Sequence, residues 1–201
     1  MFRCLAVGAE VVDALDVDLF IAGDMGIGNT TPATALLAAI TGEAVEKLIG
    51  PGTGLDNTGT LRKRAVIEKA LQRYGSDSGD WRLLLRSLGG LEIAAIAGAY
   101  LRCAQRGIPM LLDGFITGAA ALVARQINES VTDWMLASHT SMEPGHQRML
   151  EILQLSPLID LQLRLGEASG AAVAVPLLQQ SLALHARMST FDEASVSNAS
   201  S

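Results

Sequence analysis

Cysteine is scarce in this chain, with two in 201 residues. Cys4 and Cys103 lie far apart and match no metal-ligand spacing, which points to a reducing, cytoplasmic setting. Nothing resembles a cleavable signal peptide. Positive charge is outnumbered too: 15 Lys and Arg face 21 Asp and Glu, a net −6. That balance gives no electrostatic reason to seek nucleic acid or an anionic membrane, so a small-molecule partner is expected. Long apolar runs are also missing, although the mean hydropathy is +0.32. Residues 25–42 are interrupted by Gly, Thr, Asn and Pro, and residues 168–186 carry Ser169, Gln179, Gln180 and His185. Neither is a continuous span of the ~20 apolar residues a bilayer crossing needs, and both read as buried helices.

What is present is apolar residues in quantity, 49% of the chain, enough for one domain with a buried core. Short apolar runs at residues 17–22, 108–112 and 134–137 are each followed by helical patterns, as in parallel strands buried on both faces. Helices are expected at 5–15, 31–41, 59–74, 91–106, 115–127, 146–153 and 169–188. The fold class is therefore α/β, a parallel sheet flanked by helices in a Rossmann-like three-layer core. Residues 3–15 read as a helix entering a strand, so the sheet is expected to be incomplete at its amino-terminal side. Residues 50–59 and 75–80 read as loops, 1–194 as one domain, and 195–201 as a disordered tail.

Three segments carry the chemistry. Gly23-Asp24-Met25-Gly26-Ile27-Gly28-Asn29-Thr30-Thr31 stands between a strand and a helix, where glycines let backbone N–H groups approach an anion. It is not a Walker A sequence, lacking that motif's lysine, nor a Rossmann fingerprint, so it is either a phosphate loop or a plain tight turn. Gly50-Pro51-Gly52-Thr53-Gly54-Leu55-Asp56 precedes Arg62-Lys63-Arg64, either an anion site with Lys63 as point charge or a loop beside a solvated basic face. Arg164-Leu165-Gly166-Glu167-Ala168-Ser169-Gly170 opens an apolar helix. Glu167 there either complements the helix dipole or acts as a general base in an enclosed apolar pocket.

Two further segments stay open. His139 and His146 flank Glu143, but Pro144-Gly145 is expected to break any helix between them, so Ser141 and its neighbours read as a ligand-lining turn rather than a metal site. Asp113, at a strand end, either serves the ligand or caps the next helix.

Taken in order, GDMGIGNTT, GPGTGLD, RKR, GGLEIAAIAGAYLRCA, LLDGFITGAAAL, SHTSMEPGH and LRLGEASGAA closely resemble the nicotinate-nucleotide:dimethylbenzimidazole phosphoribosyltransferases. The resemblance runs from about Gly8 to Ala194 and is to the carboxy-terminal portion of longer polypeptides. It implies a parallel α/β core with a helical lobe, a homodimer, and no cofactor or metal. The implied reaction moves the 5-phosphoribosyl group of nicotinate mononucleotide onto 5,6-dimethylbenzimidazole, giving α-ribazole 5′-phosphate and nicotinate in cobalamin nucleotide-loop assembly. Glu167 corresponds to the general base. Gly26, Gly28, Gly52 and Lys63 fall in motifs that contact the phosphate and ribose, Met25 and Leu165 are expected near the aromatic base, and Asn29, Asp113 and Ser141 are expected around the substrates. One departure is Asp24, where members commonly carry Glu; charge is kept and reach is shortened. The competing readings are a catalytically silent nucleotide-binding or assembly module of the same ancestry, and a kinase-like protein, which the missing Walker lysine disfavours.

Overall fold

The structure is a computed structural model that describes residues 1–52, 54, 56–75 and 79–195. Its elements are α1 (Phe2–Asp13), α2 (Thr30–Thr41), the single turn α3 (Val45–Leu48), α4 (Asn57–Tyr74), α5 (Trp81–Leu88), α6 (Leu91–Arg106), β1 (Met110–Leu112) and α7 (Phe115–Ile127). A 3-10 turn (Glu129–Trp134) then leads into β2 (Met135–Ser141), α8 (Pro144–Leu153), β3 (Pro157–Leu163) and α9 (Ser169–Arg187).

The sheet is parallel, in the order β1-β2-β3. Side chains of β1 alternate between two layers, as the period of a strand requires. Met110 and Leu112 enter the main core beneath α6 and α7, while Leu111 packs with Ala171 and Ala174 of α9 on the other face. Helices on both faces make the three-layer α/β architecture.

Several expectations need correction. Residues 17–22 form no strand. Phe20 makes one parallel bridge to Met110, donating its N–H to Pro109 O and accepting from Leu111 N, both at 3.0 Å. β2 begins one residue late and runs four residues further than expected, so Ser138, His139 and Ser141 belong to the sheet. β3 is a strand the pattern does not announce: Leu158 and Leu161 are exposed on this edge, so it does not alternate between core and solvent. α3 and α5 are likewise additions to the expected helices, and α4 starts at Asn57, shortening the expected loop at 50–59. Of the loop expected at 75–80, residues 76–78 lie outside the described residues, as do 196–201 of the expected tail. No helix joins His139 in β2 to His146 in α8, as expected, though Pro144 opens a helix as well as closing off that span. This proline occupies the first turn of α8, where a missing N–H donor costs nothing.

Among the described residues, α1 and α6 pack with exceptional closeness. A Cβ on Gly8 would lie 1.8 Å from Ala95 O, and one on Gly98 2.0 Å from Leu5 O. The two helices touch backbone to backbone because both crossings lack a side chain.

Candidate active site

A cleft opens beyond the carboxyl ends of the strands, where ligands bind in open α/β sheets. Asp24, Met25, Gly26, Gly52, Asp113, Ser141 and Leu165 line it together with Thr30, His139, Glu143 and Arg164. Gly28, Asn29, Lys63 and Glu167 stand just outside that lining.

The two glycine loops meet through Lys63. This side chain is 5% exposed, and its Nζ donates to Thr30 Oγ1 and to Gly50 O, both at 3.0 Å. Thr30 closes the first loop and Gly50 opens the second, so one ammonium holds them together. Burial lowers the Lys63 pKa, and the carboxylate of Glu143 acts in the opposite direction. Gly26 and Gly28 both take φ +81°, a left-handed conformation that glycine adopts without strain, and the space around each missing Cβ is open.

Asp24 turns inward on its own loop. Its Oδ1 accepts the Gly26 N–H at 2.7 Å and the Asn29 side-chain amide at 2.6 Å, while Asn29 Oδ1 is buried without a partner. Its backbone carbonyl accepts the N–H of Glu167 at 2.9 Å. Gly23 packs so closely on that segment that a Cβ there would meet Ala168 N at 2.9 Å.

From the other side the same segment is held by Asp113. This carboxylate is 3% exposed; Oδ2 accepts the Ala168 N–H at 3.1 Å and Oδ1 the Ala171 N–H at 3.0 Å. Burial pushes its pKa up, but the neighbouring His139 ring and those two backbone donors outweigh burial and hold it below the ordinary value. Of the two roles open for Asp113, capping is the one its contacts express, and the helix capped is α9 rather than the following α7. Between these anchors Gly166, Glu167 and Ala168 take φ +81°, +57° and +64°, three consecutive left-handed residues. Such strain persists only where the surroundings enforce it, and it clusters at functional sites.

Glu167 is exposed. The described residues fix its backbone on both sides but build no wall around its side chain. Met25 and Leu165 are 61% and 70% exposed at the rim.

Two histidines lie under the floor. His146 Nδ1 accepts the Ser141 N–H at 2.9 Å, and burial pushes its pKa down to about 4. His139 Nε2 approaches Asp113 Oδ1 at 3.7 Å. The residue that sequence reasoning did not single out is Glu143, which fell within the segment read as a ligand-lining turn but was given no role of its own. It lines the cleft, with Oε2 buried and unpartnered, and burial raises its pKa against the pull of Lys63 and the Gly52 N–H. Its place directly before Pro144, at a helix start, was the available signal.

A phosphoribosyltransferase family model matches residues 1–196. The nicotinate-nucleotide:dimethylbenzimidazole phosphoribosyltransferase of Azotobacter vinelandii strain DJ is 52% identical over 198 residues, 97% of this chain and 56% of that protein. The Pseudomonas aeruginosa strain UCBPP-PA14 protein of the same name is 57% identical over 180 residues, 90% of this chain and 51% of its own length. Among solved structures, CobT from Thermus thermophilus superposes with a TM-score of 0.92 at 44% identity, over 98% of this chain and 60% of that one. The chain thus spans about half the length of the curated relatives it matches.

Proposed function

The chain belongs to the nicotinate-nucleotide:dimethylbenzimidazole phosphoribosyltransferase family, and from that premise we propose that it carries the phosphate-binding and general-base half of such an enzyme. The reaction moves the 5-phosphoribosyl group of nicotinate mononucleotide to 5,6-dimethylbenzimidazole, giving α-ribazole 5′-phosphate and nicotinate. The observation that carries this reading is convergence. Lys63 joins the two glycine loops at one end of the cleft, while Asp24 and Asp113 clamp the backbone around Glu167 at the other.

In this mechanism the glycine loop at Gly26, the backbone donor of Gly52 and the charge of Lys63 hold the phosphate, with the Gly26 N–H kept on Asp24 as the tie that shapes its loop. The planar acceptor base lies against Met25 and Leu165, whose exposed apolar side chains suit an aromatic face. Glu167 takes the azole N–H proton, making the other ring nitrogen more nucleophilic as the ribosyl carbon develops positive charge. Nicotinate leaves readily because its ring nitrogen is cationic in the nucleotide. The protein's contribution is positioning and fixed donors. We also read the protein as cytoplasmic, on its two unpaired cysteines, and as a homodimer, which would help enclose Glu167.

Chromatographic detection of α-ribazole 5′-phosphate tests the reading. Both substrates are supplied to the chain alone and to the chain joined to the part of the Azotobacter vinelandii relative outside the match. Turnover by the joined form is expected. Nucleotide binding with no turnover in either form would favour a catalytically silent module, the reading that the exposure of Glu167 keeps in view.

A further inference from the structure

We propose that Glu143 is an internal stand-in for the substrate phosphate: its carboxylate occupies the turn at Gly50 and Gly52 in the free protein and yields to the nucleotide with uptake of one proton. The inference rests on the phosphate assignment made above and adds a gate to that site.

The turn is shaped around this carboxylate. Glu143 Oε2 lies 2.2 Å and Pro144 Cδ 2.7 Å from where a Cβ on Gly50 would stand, so the carboxylate packs directly on the turn. The Gly52 N–H and the charge of Lys63 both act on it, the same donor and the same cation assigned to the phosphate. Lys63 is anchored to the carbonyl of Gly50 itself. An anion is thus already seated among the anion-binding groups. Its seat is imperfect, because Oε2 is buried without a partner, and burial pushes the carboxyl above the ordinary carboxylate range.

A phosphate arriving at the same donors brings like charge against a half-buried carboxylate, which raises the affinity of Glu143 for a proton further. The proton comes from solvent and remains on the carboxyl oxygen; no covalent bond changes. The other titratable groups around the cleft are Asp24, Arg164 and Glu167 at the rim and Asp113 and His139 at the floor, with His146 buried on α8. The nearby charge that opposes burial on Glu143 is Lys63.

The test is calorimetric titration of the full chain with nicotinate mononucleotide in two buffers of different ionisation enthalpy at one near-neutral pH. Protonation of the ligand's own phosphate contributes equally to the wild type and to Glu143→Gln, so the difference reports Glu143. Greater proton uptake by the wild type is expected, and roughly tenfold or tighter binding by Glu143→Gln, since a like charge has been removed. Carboxyl carbon-13 spectra of the wild type supply a second measurement that needs no variant: the Glu143 resonance should move toward the protonated position on titration. Equal uptake and equal affinity in the two proteins, or an unmoved resonance, would overturn the gate and leave the proposed function standing. Binding by Glu143→Gln alone would support the gate. Binding by neither protein would sink the phosphate assignment and the gate with it.

Discussion

Asp113 Oδ2 accepts the backbone N–H of Ala168 at 3.1 Å, so the residue after the candidate base is fixed by a carboxylate 55 positions earlier in the chain. That relationship makes Asp113 a positioning residue for Glu167. Replacing it by Ala leaves two buried N–H donors unpaired and uncaps α9, a loss of roughly 2–4 kcal/mol. Urea unfolding measures this. Because the folded pKa of Asp113 is depressed, its contribution is present above the unfolded value of about 3.9 and fades as pH falls through the folded value. Asp113→Asn should lose that acid-side dependence.

His146 sets a second dependence, at milder pH. Its Nδ1 accepts a hydrogen bond, so the folded state needs the neutral ring. Burial comes first and His139 second in pushing its pKa down to about 4, with Asp113 opposing. An unfolded histidine titrates near 6.5, so the unfolded chain binds the extra proton between the two values. Stability is full above about pH 6.5 and falls by about 3 kcal/mol as pH drops to about 4. Denaturant melts across that window should show the slope, and His146→Gln should flatten it.

Glu167→Gln keeps shape and hydrogen bonding but removes the basicity. Turnover in a form that makes α-ribazole 5′-phosphate should drop roughly a hundredfold or more, with nucleotide affinity largely kept. Steady-state kinetics beside equilibrium binding give the split. Near-normal turnover would move the base assignment to another acid of the cleft.

Gly98→Ala places a methyl 2.0 Å from Leu5 O. The helices α1 and α6 must part, and overpacking of backbone against backbone should cost about 3 kcal/mol or more. Gly28→Ala meets no neighbour and carries only the left-handed penalty of about 1–2 kcal/mol. Thermal melts of the two variants side by side test the difference.

One face of α9 exposes Val173, Leu177 and Leu184, and the sheet edge at β3 exposes Leu158 and Leu161. Exposed apolar surface beside an open strand edge favours association. Sedimentation should show concentration-dependent self-association, and Leu177→Glu should weaken it.

Where one physical signal dominates, the sequence was a sufficient guide. The spans expected for α6 and α7 match the structure because apolar periodicity and a glycine on each flank or a clear strand end agree there. The glycine loops were visible as loops for the same reason, since their composition excludes regular structure. Harder were features set by distant partners. Phe20 makes a bridge instead of a strand because pairing is decided by neighbours in space, and β3 lies exposed at an edge, where no alternation marks it. The tie of Lys63 Nζ to Thr30 and Gly50, formed across 33 and 13 residues, is likewise invisible in the local sequence. The exposure of Glu167 was equally hidden, because burial depends on surfaces that local sequence does not encode.

The left-handed run at Gly166, Glu167 and Ala168 also governs which substitutions this loop can absorb. Ala168 offers only a methyl group to the chemistry, yet its φ of +64° penalises every side chain, and branched ones most. A saturation library at position 168 should therefore enrich for glycine and asparagine and be depleted of valine, isoleucine and threonine. Tolerance there is written in torsion angles rather than in functional groups, and such a position can be intolerant to change while touching no ligand at all.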